Sequence, residues 1–396
     1  MQGFLRNDGR KGIRNVIAVV YPVECARHVA REIGLPMRDQ GVHLIGFSGC
    51  FPNAHAERVI RRLCTHPNVG AVLLVSLGCE GFDRHGLLEA VEATGRPART
   101  LVIQESGGTA ATIDAGRAWV AETHRQLQST PRVEMGIEEL VVGTVCGGSD
   151  ATSGLTANPA VGRAFDRLID AGAAAIFEET GELIGCEHAM AQRAVSEELG
   201  REIIQAVAKA ARVYDALGHG SFAPGNAEGG LTTIEEKSLG AYCKSGSSPI
   251  SGLLKPGDVP PRGGLYLLDV VSDGPLRFGF PNICDNAEIA ELMACGAHLV
   301  LFTTGRGSVV GSAISPVVKI CANPDTYRAL ADDMDLNAGR ILEGRATLDE
   351  VGREIVDLVL RTAGGAPTAS ERLGHQEFIL TYKWFEPIGP GCLPAV

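Results

Sequence analysis

No stretch of this 396-residue chain reaches the roughly 18–20 apolar residues that a membrane-spanning helix needs. The first eight residues, Met1 to Asp8, hold no apolar core of the kind a secretory signal carries. Both absences lead to the expectation of a cytoplasmic protein. Basic charge is also short. The 36 Lys and Arg stand against 47 Asp and Glu, a net charge of −11. Without a basic stripe, nucleic acid and anionic membranes are poor partners. There is no C-x-x-C pair, which argues against a zinc ribbon and a paired-cysteine redox protein. The phosphate loop G-x-x-x-x-G-K-[ST] is missing, and no G-x-G-x-x-G follows the first apolar run. Internal repeats and low-complexity tracts are absent too.

Glycine is plentiful, 50 residues, yet without a G-x-y period, so it implies tight turns and not collagen. The apolar share of 45% is ample for a core. Domains of about 100–200 residues predict two units. In the first, apolar runs at 16–20, 43–47, 69–77 and 100–103 alternate with helical patterns at 26–33, 56–64, 86–94 and 109–126. This alternation predicts a parallel sheet covered on both faces, doubly wound. A polar break at 127–137 separates a unit over 1–130 from a second α/β unit over 138–396. The second unit is expected to carry strands at 139–145, 173–177, 265–271, 299–303 and 317–321. Its expected helices lie at 159–171, 187–199, 287–294, 326–333 and 348–362. Residues 218–230 are expected to form a long loop, and 249–264 a Pro- and Gly-rich break. The fold class is therefore α/β, two units of mainly parallel sheet, with the site at the carboxyl ends of strands.

Eleven cysteines, an odd number at wide spacings, do not suit a disulfide framework. Four of them follow predicted strands: Cys25, Cys50, Cys79 and Cys146. Four thiols from four strand ends can converge on one metal site, or each can be a small buried residue at a turn. Cys64, Cys186, Cys243, Cys284, Cys295, Cys321 and Cys392 read as packing or incidental.

A second cluster is acidic. Glu178, Glu179 and Glu182 end a strand, and Glu187-His188 follow. Glu179, Glu182, Glu187 and His188 can bind a divalent metal or move protons, or form a solvated loop that caps the next helix. Gly229-Gly230-Leu231-Thr232-Thr233-Ile234-Glu235-Glu236-Lys237-Ser238 runs from a glycine turn into a helix. Its backbone N–H groups can cradle an anion, and Thr232 or Thr233 can cap the helix with Glu235 or Glu236 as partner. Lys237 is a base candidate or an ion-pair partner of those glutamates. Arg306, in Phe302-Thr303-Thr304-Gly305-Arg306-Gly307-Ser308, can grip a carboxylate.

Several of these stretches together resemble the altronate/galactarate dehydratase family. They are Gly3-Phe4-Leu5-Arg6-Asn7-Asp8-Gly9-Arg10, Gly78-Cys79-Glu80, Gln104-Glu105-Ser106-Gly107-Gly108-Thr109, Cys146-Gly147-Gly148-Ser149-Asp150, Ser153-Gly154-x-Thr156-Ala157-Asn158-Pro159, and the segments 229–238 and 302–308. They run in collinear order over almost the whole chain. The resemblance implies a hydro-lyase that dehydrates a 2,3-dihydroxy acid to a 2-keto-3-deoxy acid with a divalent metal. Iron is the implied metal, as mononuclear Fe2+ or as an iron–sulfur cluster, with Mn2+ or Mg2+ ranked behind. It also implies Cys25, Cys50, Cys79, Cys146, Glu179 and Glu187 as metal ligands, and His188, Lys237 and Glu236 as catalytic groups. Ser149, Asp150, Asn158, Asn226, Thr232, Thr233 and Arg306 are then expected to hold the small hydroxy-acid substrate.

Full-length sugar-acid dehydratases of the family carry a small SAF domain before the start matched here. The expectation is a separate small SAF-type subunit as partner, the arrangement of sulfolactate sulfo-lyase, together with a homo-oligomer. Residues 218–224, 272–280 and 382–385 depart from the family pattern, which points to a substrate other than altronate itself. Two further readings compete: a sulfo-lyase that releases sulfite, and a non-catalytic binding subunit.

Overall fold

The computed structural model describes residues 1–218, 222–276, 284–380 and 382–384. Residues 219–221, 277–280, Phe385 and Cys392, which belong to stretches singled out above, lie outside them. The first unit alternates β1 (Val16–Tyr21), α1 (Glu24–Gly34), β2 (Val42–Gly46), α2 (Ala54–Cys64), β3 (Val69–Ser76), α3 (Arg84–Glu92), β4 (Ala98–Val102) and α4 (Thr109–Leu127). The four strands are parallel, in the order β2-β1-β3-β4. All eight residues of β3 are buried, as a strand covered on both faces requires. Helix α1 buries Ala26, Val29, Ala30 and Ile33, the i, i+3, i+4, i+7 stripe of an amphipathic helix.

The second unit begins with β5 (Val141–Cys146), α5 (Ala157–Asp170) and β6 (Ala174–Phe177). There follow α6 (Glu187–Gln192), α7 (Glu197–Leu217), α8 (Pro224–Glu228), α9 (Ile234–Tyr242), β7 (Ile250–Leu254) and β8 (Gly264–Leu268). The remainder is α10 (Asp285–Ala294), β9 (Leu299–Thr304), β10 (Val317–Cys321), α11 (Pro324–Ala329), β11 (Leu336–Asn337), α12 (Leu348–Ala363) and α13 (Ala369–Arg372). Its seven strands are parallel, in the order β7-β8-β6-β5-β9-β10-β11.

Both sheets therefore reverse direction beside their first strand, between β1 and β3 and between β5 and β9. In open parallel sheets, ligands bind outside the carboxyl ends at such a point. The two units share apolar packing. One buried cluster joins Phe47, Ile60 and Leu74 of the first to Ile176, Leu292 and Phe302 of the second, so α2 and α10 form a common middle layer. Asn68 ties the amino ends of the sheets, donating to His298 O at 2.9 Å and accepting from Ile13 N at 2.9 Å.

Four local expectations change. Residues 218–230, expected as a long loop, contain α8, which Pro224 opens at its first position. The single helix expected over 187–199 is two, because Ile250 N donates to Arg193 O and Ile250 O accepts from Val195 N. Those bonds take the backbone groups that would continue α6, and Ser196 caps α7 anew, accepting from Leu199 N at 3.2 Å. The break expected over 249–264 contains β7, a half-buried edge strand. The break at 127–137 contains Arg132–Glu134, which pairs with Gln2–Leu5; that strand also pairs with Lys11–Gly12. No helix among the described residues is long and apolar enough to cross a membrane.

Candidate active site

The site forms where β5 and β6 end. Cys146 is the last residue of β5. The next turn, 147–150, is zipped to the end of β9: Gly147 N donates to Thr303 O at 3.1 Å, and Gly305 N and Arg306 N donate to Gly148 O at 3.1 and 2.8 Å. Gly147 admits no side chain, since a Cβ there would stand 2.0 Å from Asp285 Oδ2. After β6 the chain turns sharply. Glu179 takes a left-handed backbone, φ 80°, rare for a residue with a side chain and costly enough to need support. Its carboxylate supplies that support, accepting from Cys146 N at 3.1 Å and pairing with the Lys244 ammonium.

Three ligand atoms converge here. The Cys146 thiol lies 3.2 Å from Glu182 Oε2 and 3.5 Å from Glu179 Oε2. Cys146, Glu179 and Glu182 form one group whose donor atoms all lie within 4.8 Å of one another, a group that could hold a metal ion. Glu178, Glu179 and Glu288 form a second such group. Lys237 on α9 pairs with Glu182, and its side chain is only 7% exposed. Asp285 and Glu288 of α10, with Tyr214 of α7, close a cavity of about 180 Å³ that Cys146, Ser149, Glu179, Glu182 and Lys237 also line. Beside it lies a hollow of about 210 Å³, reached by Cys146, Ser149, Asn158 and Lys237. The Tyr214 ring lies on the turn because residue 181 is glycine; a Cβ there would sit 1.8 Å from the ring.

Burial dominates the electrostatics. It pushes the carboxyls of Glu178 and Glu288 well above their ordinary range, each helped by the neighbouring carboxylates. It raises Asp285 to about 6, with Glu182 adding to the effect. It raises the Cys146 thiol, with Glu182 again second. Burial alone would lower the Lys237 ammonium, but Glu182 and then Cys146 more than reverse this, and its pKa rises. Both oxygens of Glu178 are buried and accept no hydrogen bond among the described residues.

The fold sorts the sequence candidates into several places. Cys146, Glu179, Ser149 and Lys237 meet in the cavity. Cys25, Cys50 and Cys79 are exposed at the carboxyl edge of the first sheet, whereas Cys146 belongs to the second sheet. Glu187 opens α6 and accepts from Gly185 N at 2.7 Å, a capping contact, and His188 is exposed beside it. Neither lines the two hollows described above.

Glu236 accepts from Thr232 N and Thr232 Oγ1 at 2.7 and 2.6 Å, while Thr233 caps α9 by accepting from Glu236 N at 3.2 Å. Asp150 holds its own turn through Thr152 and Ser153 and accepts from Asn323. Asn226 donates to Ser149 O at 3.1 Å. Arg306 pairs with Glu228 and the Gly225 carbonyl. Asn158 donates to Gly240 O at 3.0 Å, and its buried Oδ1 has no partner among the described residues.

Lys244, Asp285, Glu288 and Tyr214 were not singled out from the sequence. Lys244 lies just past the end of α9, in a single 3-10 turn over Cys243–Ser245, and no pattern in the sequence marked it. Asp285 and Glu288 are spaced i, i+3 in the first turn of a helix, where acidic residues ordinarily serve the dipole.

Comparison with known proteins follows the same lines. Residues 3–128 match the family model for the second domain of D-galactarate dehydratase/altronate hydrolase, and residues 137–386 the C-terminal domain of D-galactarate/altronate dehydratase. The chain is 34% identical over 396 residues to the (2R)-sulfolactate sulfo-lyase subunit beta of Chromohalobacter salexigens, covering 96% of each. It is 31% identical to the altronate dehydratase of Bacillus subtilis, covering 96% of this chain and 77% of that one. With the galactarate dehydratase (L-threo-forming) of Escherichia coli it shares 35% identity, over 78% of this chain and 59% of that one. The family models and the relatives agree: the chain is a lyase that belongs to the D-galactarate/altronate dehydratase family.

Proposed function

We propose that this chain is a metal-dependent hydro-lyase. It removes water from a small 2,3-dihydroxy carboxylate, and the enol formed tautomerises to a 2-keto-3-deoxy acid. One observation carries the reading: Cys146, Glu179 and Glu182 converge at a strand end with two buried lysines paired to them. The residues fit a cation. Glu178, Glu179, Glu182, Asp285 and Glu288 cluster here, and among the described residues Lys244 pairs with Glu179 and Lys237 with Glu182, while burial pushes the carboxyls of Glu178, Asp285 and Glu288 up because their negative charges lack such partners. A bound cation offsets the cost of burying them. A thiolate beside carboxylates favours ferrous iron over Mn2+ or Mg2+, which prefer oxygen alone. Held by Cys146, Glu179 and Glu182, such an ion supplies Lewis acidity toward the substrate carboxylate and hydroxyl.

The chain's own groups handle the protons. Lys237 stays an ammonium, ready to bind the substrate's anionic end or to protonate the departing hydroxide at Nζ. Asp285 lines the same cavity with a carboxyl raised toward neutrality, which suits the group that takes the C2 proton. Asn158 lines the adjoining hollow, and its buried Oδ1 has no partner among the described residues. A separate small subunit completes the enzyme; the Chromohalobacter relative, a beta subunit by name, supports that part.

The test is anaerobic purification, iron loading and a panel of sugar acids scored for 2-keto-3-deoxy acid. The second reading, a sulfo-lyase, is favoured by the 34% identity that spans 96% of both chains. Sulfite release from sulfolactate, measured in parallel, separates the two. If neither product forms with iron present and the small subunit added, both readings fail.

A further inference from the structure

A large cavity lies away from the active site, at the amino ends of the strands. We propose that it is a binding site for a small dicarboxylate, gripped by Arg38 of the first unit and Arg372 of the second, with His43 as a further donor. The proposal does not rest on the reaction assigned above.

Position comes first. Val16 opens β1, Gly41 and His43 stand at the start of β2, and Ile314 and Ser315 precede β10; all line one cavity of about 400 Å³. The two hollows at the carboxyl ends measure about 180 and 210 Å³. Small-molecule sites span about 300–1,000 Å³ and favour the seam between folded units. This cavity lies on such a seam, walled by Arg14 and Arg38 from the first unit and by Glu371 and Arg372 from the second.

Charge comes second. Three guanidinium groups, Arg14, Arg38 and Arg372, line the cavity against two carboxylates, Asp39 and Glu371. Arg14 and Glu371 satisfy each other through two bonds, at 2.7 and 2.8 Å. Asp39 is 80% exposed and takes only the Nε of Arg38, at 3.2 Å. The terminal nitrogens of Arg38 donate to no described residue. Arg372, exposed on the last turn of α13, donates to Pro367 O at 3.1 Å through Nη1 and to no other described residue. Asp335, a carboxylate that feels the charge of Arg372, is committed to Lys319 N and Ala369 N. His375 also lines the cavity and closes on Glu377 at 2.7 Å.

His43 adds a neutral donor. Its Nδ1 accepts from Ile314 N at 2.8 Å, and burial holds the ring's pKa down at about 4. At neutral pH its one proton therefore sits on Nε2, which donates to no described residue. The cavity is thus rich in donors and short of acceptors. It is also held in shape beforehand. Gln376 Nε2 donates to Arg38 O at 3.1 Å. Gly374, φ +77°, leaves room for the Arg38 guanidinium, since a Cβ there would stand 3.1 Å from Nη2.

Chemistry selects the ligand. A guanidinium fork matches the two oxygens of a carboxylate. One open fork from each unit calls for two carboxylates on one small body. A compact inorganic anion would leave most of the 400 Å³ to water.

The experiment titrates succinate into the full chain, metal-free and at low salt, by calorimetry. Expected is one succinate per chain. Arg38→Ala and Arg372→Ala should each weaken it at least about tenfold, the worth of one charged hydrogen bond. Both side chains are exposed, so both variants should fold. Lys237→Met, in the active-site cavity, should bind succinate as wild type does, which separates this site from anion capture there. Acetate and phosphate should bind at least about tenfold more weakly than succinate. Sodium chloride at equal ionic strength sets the baseline for screening. A second readout needs no variant. Phenylglyoxal, which modifies open arginines, followed by peptide mass spectrometry, should label Arg38 and Arg372 less when succinate is present. No binding, equal affinity in the arginine variants, loss in Lys237→Met, acetate or phosphate as tight as succinate, or labelling that succinate leaves unchanged would each overturn the proposal.

Discussion

Replacing Lys244 with methionine keeps an unbranched apolar stem and removes the charged Nζ. In the folded protein the Lys244 side chain is 1% exposed and pairs with Glu179, 2% exposed. The contacts left to Glu179 are the Cys146 N–H at 3.1 Å and the Cys146 thiol at 3.5 Å, neither of them charged. Removing one partner of a buried ion pair costs about 3–5 kcal/mol. For a unit the size of residues 137–386, each kcal/mol lowers the melting temperature by about 2 °C, so Lys244→Met should lower it by about 6–10 °C.

A metal enters the same sum with opposite sign. If Glu179 is a ligand, a bound cation replaces the lost positive charge. The gap between wild type and variant should then narrow when ferrous iron is added. The assay is a thermal melt without oxygen, in chelator and in iron, of wild type, Lys244→Met and Lys244→Met/Glu179→Gln. The double variant should recover part of the loss, since a neutral amide leaves no bare charge. A single variant that melts within about 2 °C of wild type in chelator would refute the buried pair, being less than the cost of one broken pair. A gap that iron leaves unchanged would remove Glu179 from the metal site.

Three further outcomes are expected. Burial raises the Glu371 carboxyl, but the Arg14 guanidinium more than reverses this and holds it below its ordinary 4.5. The pair therefore stabilises the fold above about pH 4.5, and that share is lost as pH falls through the lower folded value. Urea midpoints of wild type should fall more between pH 6 and the onset of acid unfolding than those of Arg14→Met; equal falls would refute the pairing. Gly162→Ala should destabilise by about 1–3 kcal/mol, as overpacking does. Its Cβ would stand 2.3 Å from Cys243 O and 2.9 Å from Gly246 N, backbone atoms that cannot swing aside, in the turn that carries Lys244. Lys237→Met should cost about 10²–10⁴-fold in kcat/KM, the range for a proton-transfer group. Glu236→Gln, an exposed helix cap, should leave kcat/KM within a few-fold, and similar losses in the two variants would contradict the assignment.

The alternation of apolar runs and helical stripes determined the parallel α/β fold, because period and burial are local properties of a strand covered on both faces. Glu179, Cys146 and Lys237 were legible as candidates, because strand ends and glycine turns are marked in the chain itself. The partition of the strand-end cysteines was not. Four similar local signals sit on two sheets, and only strand order tells which edges meet. Lys244, Asp285 and Glu288 escaped for a related reason. An acidic residue in a helix's first turn reads the same whether it faces water or a cavity, and long-range packing decides which. Glu236 and Thr232 show the converse, since their spacing suits a cap and an anion site equally, and the structure shows the cap while Glu236 also lines the hollow beside Lys237. The chain by itself thus determined its elements, its family and the kinds of group available for chemistry. The tertiary structure alone decided which charges are buried together, because burial and distance, the quantities that set a site's electrostatics, arise only when β5, β6, α9 and α10 pack against one another.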